Sequence, residues 1–135
     1  MKVKTAILVT YIVLLMLITL VFFRGNPYAP IELDPIASYR RAANASPYLA
    51  RIEIRNAALN VAMFIPLGFL PPMLWDELKK PIRLISLALA FTFTIEVAQL
   101  VFSRGVFAVE DILHNTMGAA IGLLVCKIWQ RMTNK

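Results

Sequence analysis

Apolar residues run in four long stretches, Thr5–Phe23, Ala57–Trp75, Ile82–Phe102 and Glu110–Trp129. Each is close to the roughly 20 residues that a helix needs to cross a bilayer. The connections between the last three are short, and together the stretches use most of the 135 residues. This pattern predicts an all-α integral membrane four-helix bundle, with residues 1–135 as a single domain. Only the segment 24–56 is a long connection, read as an outer loop. Pro27, Pro30, Pro35 and Pro47 punctuate it, and it holds Tyr28, Tyr39 and Tyr48; tyrosines suit a membrane–water interface. Ser46-Pro47 reads as an N-cap followed by proline at the first helical position. The second helix is therefore expected to start near residue 47, outside the bilayer.

Composition strengthens the membrane reading. Apolar residues make up 59% of the chain and charged residues 16%, with a mean hydropathy of +0.69; a soluble domain carries about 25% charge. The first stretch is longer than a signal-peptide core and lacks a small-x-small cleavage site, so it reads as a retained anchor. Lys2, Lys4, Lys79, Lys80, Arg83, Lys127, Arg131 and Lys135 fall on one side, and Arg24, Arg40, Arg41, Arg51, Arg55 and Arg104 on the other. Every lysine lies on the first side, whose connections are the shorter ones, which predicts N-in/C-in. The net charge of +6 is then a topology signal, and no nucleic acid partner is expected. Cys126 is the one cysteine, excluding an internal disulfide, and reads as a small packing residue.

The candidate chemistry lies in the outer halves of the helices. Thr92, Glu96 and Gln99 follow i, i+4, i+7 and share a face. Asp111, Asn115, Gly118 and Gly122 form a second stripe, with His114 beside it, and Asn60 lies in the first membrane turn of its helix. At ~1.5 Å rise per residue, Glu96 lies about 9 Å below the outer end of its span. A carboxylate at such depth costs about 2.5–3.5 kcal/mol on insertion scales, so it is expected to face partners or water. An ion pair with Arg55 or Arg104 would explain it structurally. Asn60 and Gln99 read more often as interhelical hydrogen-bond groups than as catalytic ones, and Asp111 as a carboxylate favoured at a helix N-terminus. Gly118-x-x-x-Gly122 permits close helix approach, within the chain or in self-association. Pro66 leaves the carbonyl of Ala62 without its usual donor and is expected to kink the second helix.

In order along the chain, Asn60-x-x-x-Phe64-x-Pro66-x-Gly68-Phe69, Glu96-x-x-Gln99, Arg104 and Asp111-x-x-x-Asn115-x-x-Gly118-x-x-x-Gly122 resemble the VanZ-like family of small membrane proteins. The resemblance covers roughly residues 60–124. Thr92 stands where the family often has serine, Ala108 where it is often polar or acidic, and Gly105 is an extra residue after Arg104. The resemblance implies a multi-pass protein of the bacterial inner membrane, with membrane lipids as neighbours and a link to teicoplanin resistance. The expected function is engagement of a lipid-linked envelope component or lipoglycopeptide antibiotic. Arg55, Asn60, Glu96, Gln99, Arg104, Asp111 and Asn115 are the ligand-binding candidates; arginine's fork suits phosphate and carboxylate. The alternatives are an intramembrane enzyme acting on a lipid headgroup, with Glu96, Asp111 and His114 as catalytic candidates, and a structural helper of another membrane protein. Binding is favoured over catalysis because no nucleophile stands out. No cofactor or metal is expected, although Glu96, Asp111 and His114 would be the ligands if they converged.

Overall fold

The computed structural model describes residues 2–21 and 31–133. Apart from one two-residue strand pair, its regular elements are helical. They are α1 (Lys2–Val21), β1 (Ile31–Glu32), α2 (Ala37–Ala43), α3 (Pro47–Phe69), α4 (Pro81–Val101), β2 (Phe107–Ala108) and α5 (Val109–Thr133), with two 3-10 turns between α3 and α4. Three stretches are long and apolar enough to cross a membrane: Pro47–Met73, Pro81–Val101 and Val109–Thr133. The apolar part of α1, Thr5–Leu20, is shorter. Phe22, Phe23, Arg24, Pro27, Tyr28, Pro30 and Lys135, on which some of the expectations rest, lie outside the described residues.

Local sequence explains the helix boundaries. The Ser46 hydroxyl accepts from the Leu49 N–H, and Pro47 opens α3, as the Ser-Pro pair predicts. Pro66 sits inside α3, and Pro71-Pro72 follow its end in a 3-10 turn. Pro81 opens α4 in the same way as Pro47. At the other end of α4, the Ser103 N–H bonds the Leu100 carbonyl and the Arg104 N–H bonds the Gln99 carbonyl. These two bonds are the Schellman closure, and Ser103 takes the left-handed position with φ 52°.

The segment 24–56, expected as an outer loop with the start of the second helix at its end, also carries regular structure ahead of that helix. Its described part contains β1, α2 and the first turns of α3. Strand β1 pairs in parallel with β2, Ile31 opposite Phe107 and Glu32 opposite Ala108. This ties the outer segment to the α4–α5 connection.

The helices α3 and α5 make the most extensive contact in the chain. They run parallel, because Val61 meets Gly118 and Ile65 meets Gly122 in step. A methyl added at Gly118 would strike the Val61 carbonyl, and one at Gly122 the Ile65 carbonyl. Gly68 returns the relation from α3, where a methyl would strike the Ala119 carbonyl. The glycine stripe is thus covered by α3 of the same chain. Around this seam Leu15, Phe64, Leu67, Ala88, Ile95 and Ala119 form the apolar core. Cys126 is fully buried, as its packing role requires. Helix α1 lies mainly against α4, burying Leu8, Leu15 and Thr19, and the Tyr11 hydroxyl donates to the Met63 carbonyl of α3 at 2.6 Å.

Candidate functional site

Thr92, Glu96 and Gln99 occupy one buried face of α4, as their spacing predicts. Each meets a different element. The Asn115 amide of α5 donates to the Thr92 hydroxyl at 2.7 Å. Glu96, 2% exposed, accepts the Ala108 N–H of β2 at 2.8 Å. The Gln99 amide donates to the Thr19 carbonyl at the end of α1, at 3.0 Å. From α3, the buried Asn60 amide donates to Asp111 at 2.6 Å. Asn60, Glu96, Gln99, Asp111 and Asn115 therefore gather at the end of the chain where α1 and α4 finish and α5 begins.

The two predicted arginines stand apart from this knot. Arg55 and Arg104 are exposed, and among the described residues neither forms an ion pair. The partner of Glu96 is a backbone N–H, which replaces the arginine pairing considered from the sequence. The backbone at Ala108 explains why an apolar residue serves there: its amide, not its side chain, meets Glu96. Gly105 lies against the Gln99 side chain, where an added Cβ would come within 3.1 Å.

The pairing of Thr92 with Asn115 predicts a sharp contrast between two small substitutions. Thr92→Val keeps the shape but strands the buried Asn115 amide, and is expected to cost about 1–3 kcal/mol. Thr92→Ser keeps the hydroxyl and loses one methyl group, about 0.8 kcal/mol. Unfolding of the purified variants in detergent reads the difference; equal losses would mean that the hydrogen bond contributes nothing.

Glu110 and Ser38 are not among the candidates read from the sequence, and Tyr39 is read there only as an interface tyrosine. Glu110, 3% exposed, accepts both the N–H (2.7 Å) and the hydroxyl of Ser38 in α2. His114 is also buried, with Nε2 2.9 Å from the Tyr39 hydroxyl and 4.0 Å from Glu110. The Tyr39 and His114 rings meet edge-on at 70°. Glu110 and His114 are four residues apart on α5, so the i, i+4 relation is the signal that would have found them; without α2 nothing opposed it. Two other arginines of the segment form ion pairs, Arg40 with Asp34 and Arg41 with Glu32 and Glu53.

Among the described residues, no three His, Cys, Asp or Glu side chains are placed to hold a metal ion. Glu96, Asp111 and His114 are thus not brought together as a set of three ligands. What the end of the bundle offers is hydrogen bonding to two buried carboxylates, Glu96 and Glu110, and to the half-buried Asp111, each held by N–H or O–H donors.

Comparison with known proteins gives this geometry a relative. Protein VanZ of Enterococcus faecium is 29% identical over 85 residues, 63% of this chain and 52% of that protein. The chain spans about half the length of that curated relative. No solved structure matches the chain. The VanZ/LLP1 family profile matches residues 8–130, well beyond the 60–124 suggested by the motifs and including most of α1. The chain belongs to the VanZ/LLP1 family.

Proposed function

We propose that this is a multi-pass protein of the bacterial inner membrane whose outer end engages a lipid-linked envelope component or a lipoglycopeptide antibiotic. In this reading α1 is a fourth span beside α3, α4 and α5, and both termini lie inside, in keeping with the lysine distribution. The observation that carries the functional reading is the placement of Glu96, Glu110 and Asp111. Three carboxylates are gathered at one end, and among the described residues no arginine or lysine pairs with them. Packing alone rarely calls for such groups in a membrane domain. They form a polar floor with Asn60, Gln99 and Asn115. The exposed Arg55 and Arg104 are available to anionic groups at the surface.

Similarity to Protein VanZ and membership of its family support a role in teicoplanin tolerance. The test is susceptibility of a sensitive Gram-positive host carrying empty vector or the wild-type gene, with membrane levels verified. Teicoplanin tolerance is expected to rise with the wild-type chain. Unchanged susceptibility at good expression would refute the antibiotic role.

A further inference from the structure

The pair Glu110 and His114 is filled from within the chain by hydroxyl groups, and its chemistry suggests what else belongs there. Ser38 presents an O–H and an N–H to the Glu110 carboxylate. The Tyr39 hydroxyl pairs with His114 Nε2, donating or accepting according to the imidazole tautomer. The two receiving groups lie side by side at 4.0 Å and are almost fully buried. The other ring nitrogen, His114 Nδ1, is buried with no partner, so the imidazole has hydrogen-bonding capacity that the fold does not use. Buried polar groups are normally satisfied.

These hydroxyls come from a weakly buried element. Helix α2 spans seven residues and buries only Ala37 and Ser38, while Tyr39 is 44% exposed. Helices this short have little intrinsic stability. Pro35 precedes α2 and Pro47 follows it. Replacing its side chains on Glu110 and His114 therefore disturbs little apolar packing.

We propose that Glu110 and His114 form a binding site for a hydroxyl-rich sugar headgroup, and that Ser38 and Tyr39 occupy it as internal substitutes. Neighbouring hydroxyls of a sugar, each able to donate and accept, match the pair of hydroxyls that Ser38 and Tyr39 now place there. Anionic ligands are disfavoured at this position, because Asp111 adjoins Glu110 in sequence and like charges repel. The site thus differs in preference from the exposed arginines. It rests on the reading of the outer end as a ligand-binding surface, and deepens it by naming a ligand class.

The proposal predicts opposite signs across the same hydrogen bonds. Removing the internal competitors in Ser38→Ala/Tyr39→Phe is expected to tighten sugar binding about tenfold, because less free energy is spent opening the site. Removing a receiving group in His114→Leu or Glu110→Gln is expected to weaken it about tenfold. The full chain in detergent would be titrated with diglucosyl-diacylglycerol by native mass spectrometry. Diacylglycerol serves as the tail control and methyl glucoside as the free-sugar arm. Binding of the glycolipid alone assigns the headgroup to a lipid; saturable binding of both assigns the site to the sugar itself. Either is the expected result when joined to the opposite signs. Equal binding of diacylglycerol, no binding of either sugar, or the same sign in both sets of variants would overturn the proposal. Should Glu110→Gln fail to fold, His114→Leu carries the receiving side. A negative teicoplanin result would sink the antibiotic role and leave this measurement unaffected.

Discussion

Gly122→Ala is expected to force α3 and α5 apart and to lower the stability of the chain by at least 1–3 kcal/mol, roughly the cost of overpacking a well-packed core. The added methyl would meet the Ile65 carbonyl and the backbone of Gly68. Backbone cannot turn aside as a long side chain can, so the whole seam must shift. Gly68→Ala, which meets the Ala119 carbonyl, is expected to do the same from the other side. The double variant should cost less than the sum, since one separation relieves both clashes. Unfolding in mixed micelles would read all three variants. A wild-type midpoint for Gly122→Ala would mean that the two helices are not in backbone contact.

The second large effect is expected at Glu96, where two substitutions separate folding from function. Glu96→Ala leaves the Ala108 N–H without its acceptor in a buried site, a loss of about 1–3 kcal/mol, and adds a cavity. Glu96→Gln retains a carbonyl oxygen for that N–H and replaces the acid group by an amide of the same shape. It is expected to insert and fold at wild-type levels yet to lose teicoplanin tolerance entirely. Wild-type tolerance in a well-expressed Glu96→Gln protein would reduce Glu96 to a backbone clamp on β2.

The faces of α4 and α5 were legible because helical periodicity is a local property. Thr92, Glu96 and Gln99 had to align, as did Asp111, Asn115, Gly118 and Gly122, once each segment was helical. The cap at Ser46 and the close approach at Gly122 followed from residue chemistry in the same way. Partners were a different matter. Nothing local says that Gly118 meets Val61, or that Glu96 reaches the backbone of Ala108 and not an arginine. The least legible element was α2, whose seven residues are too few for a periodic signal. Its absence from the expected fold hid Glu110 as well, because a carboxylate at a helix start needs no partner until Ser38 is placed over it. The ion pair considered for Glu96 fails for a related reason: charge suggests a partner, while which group comes within reach of the carboxylate depends on the arrangement of all the helices.

The length of chain between interacting residues has a consequence for the order of synthesis. Asn60 and Asp111 are 51 residues apart, Ser38 and Glu110 are 72, and Gln99 and Thr19 are 80. A ribosome makes α3, with its amide and internal proline, long before it makes the helix that satisfies them. Until α5 arrives, Asn60 lacks its carboxylate and Gly68 its neighbouring backbone. Strand β1 likewise waits for β2. Translation thus leaves the polar and glycine face of α3 without its partner until α5 is made, and the arrival of α5 closes that contact.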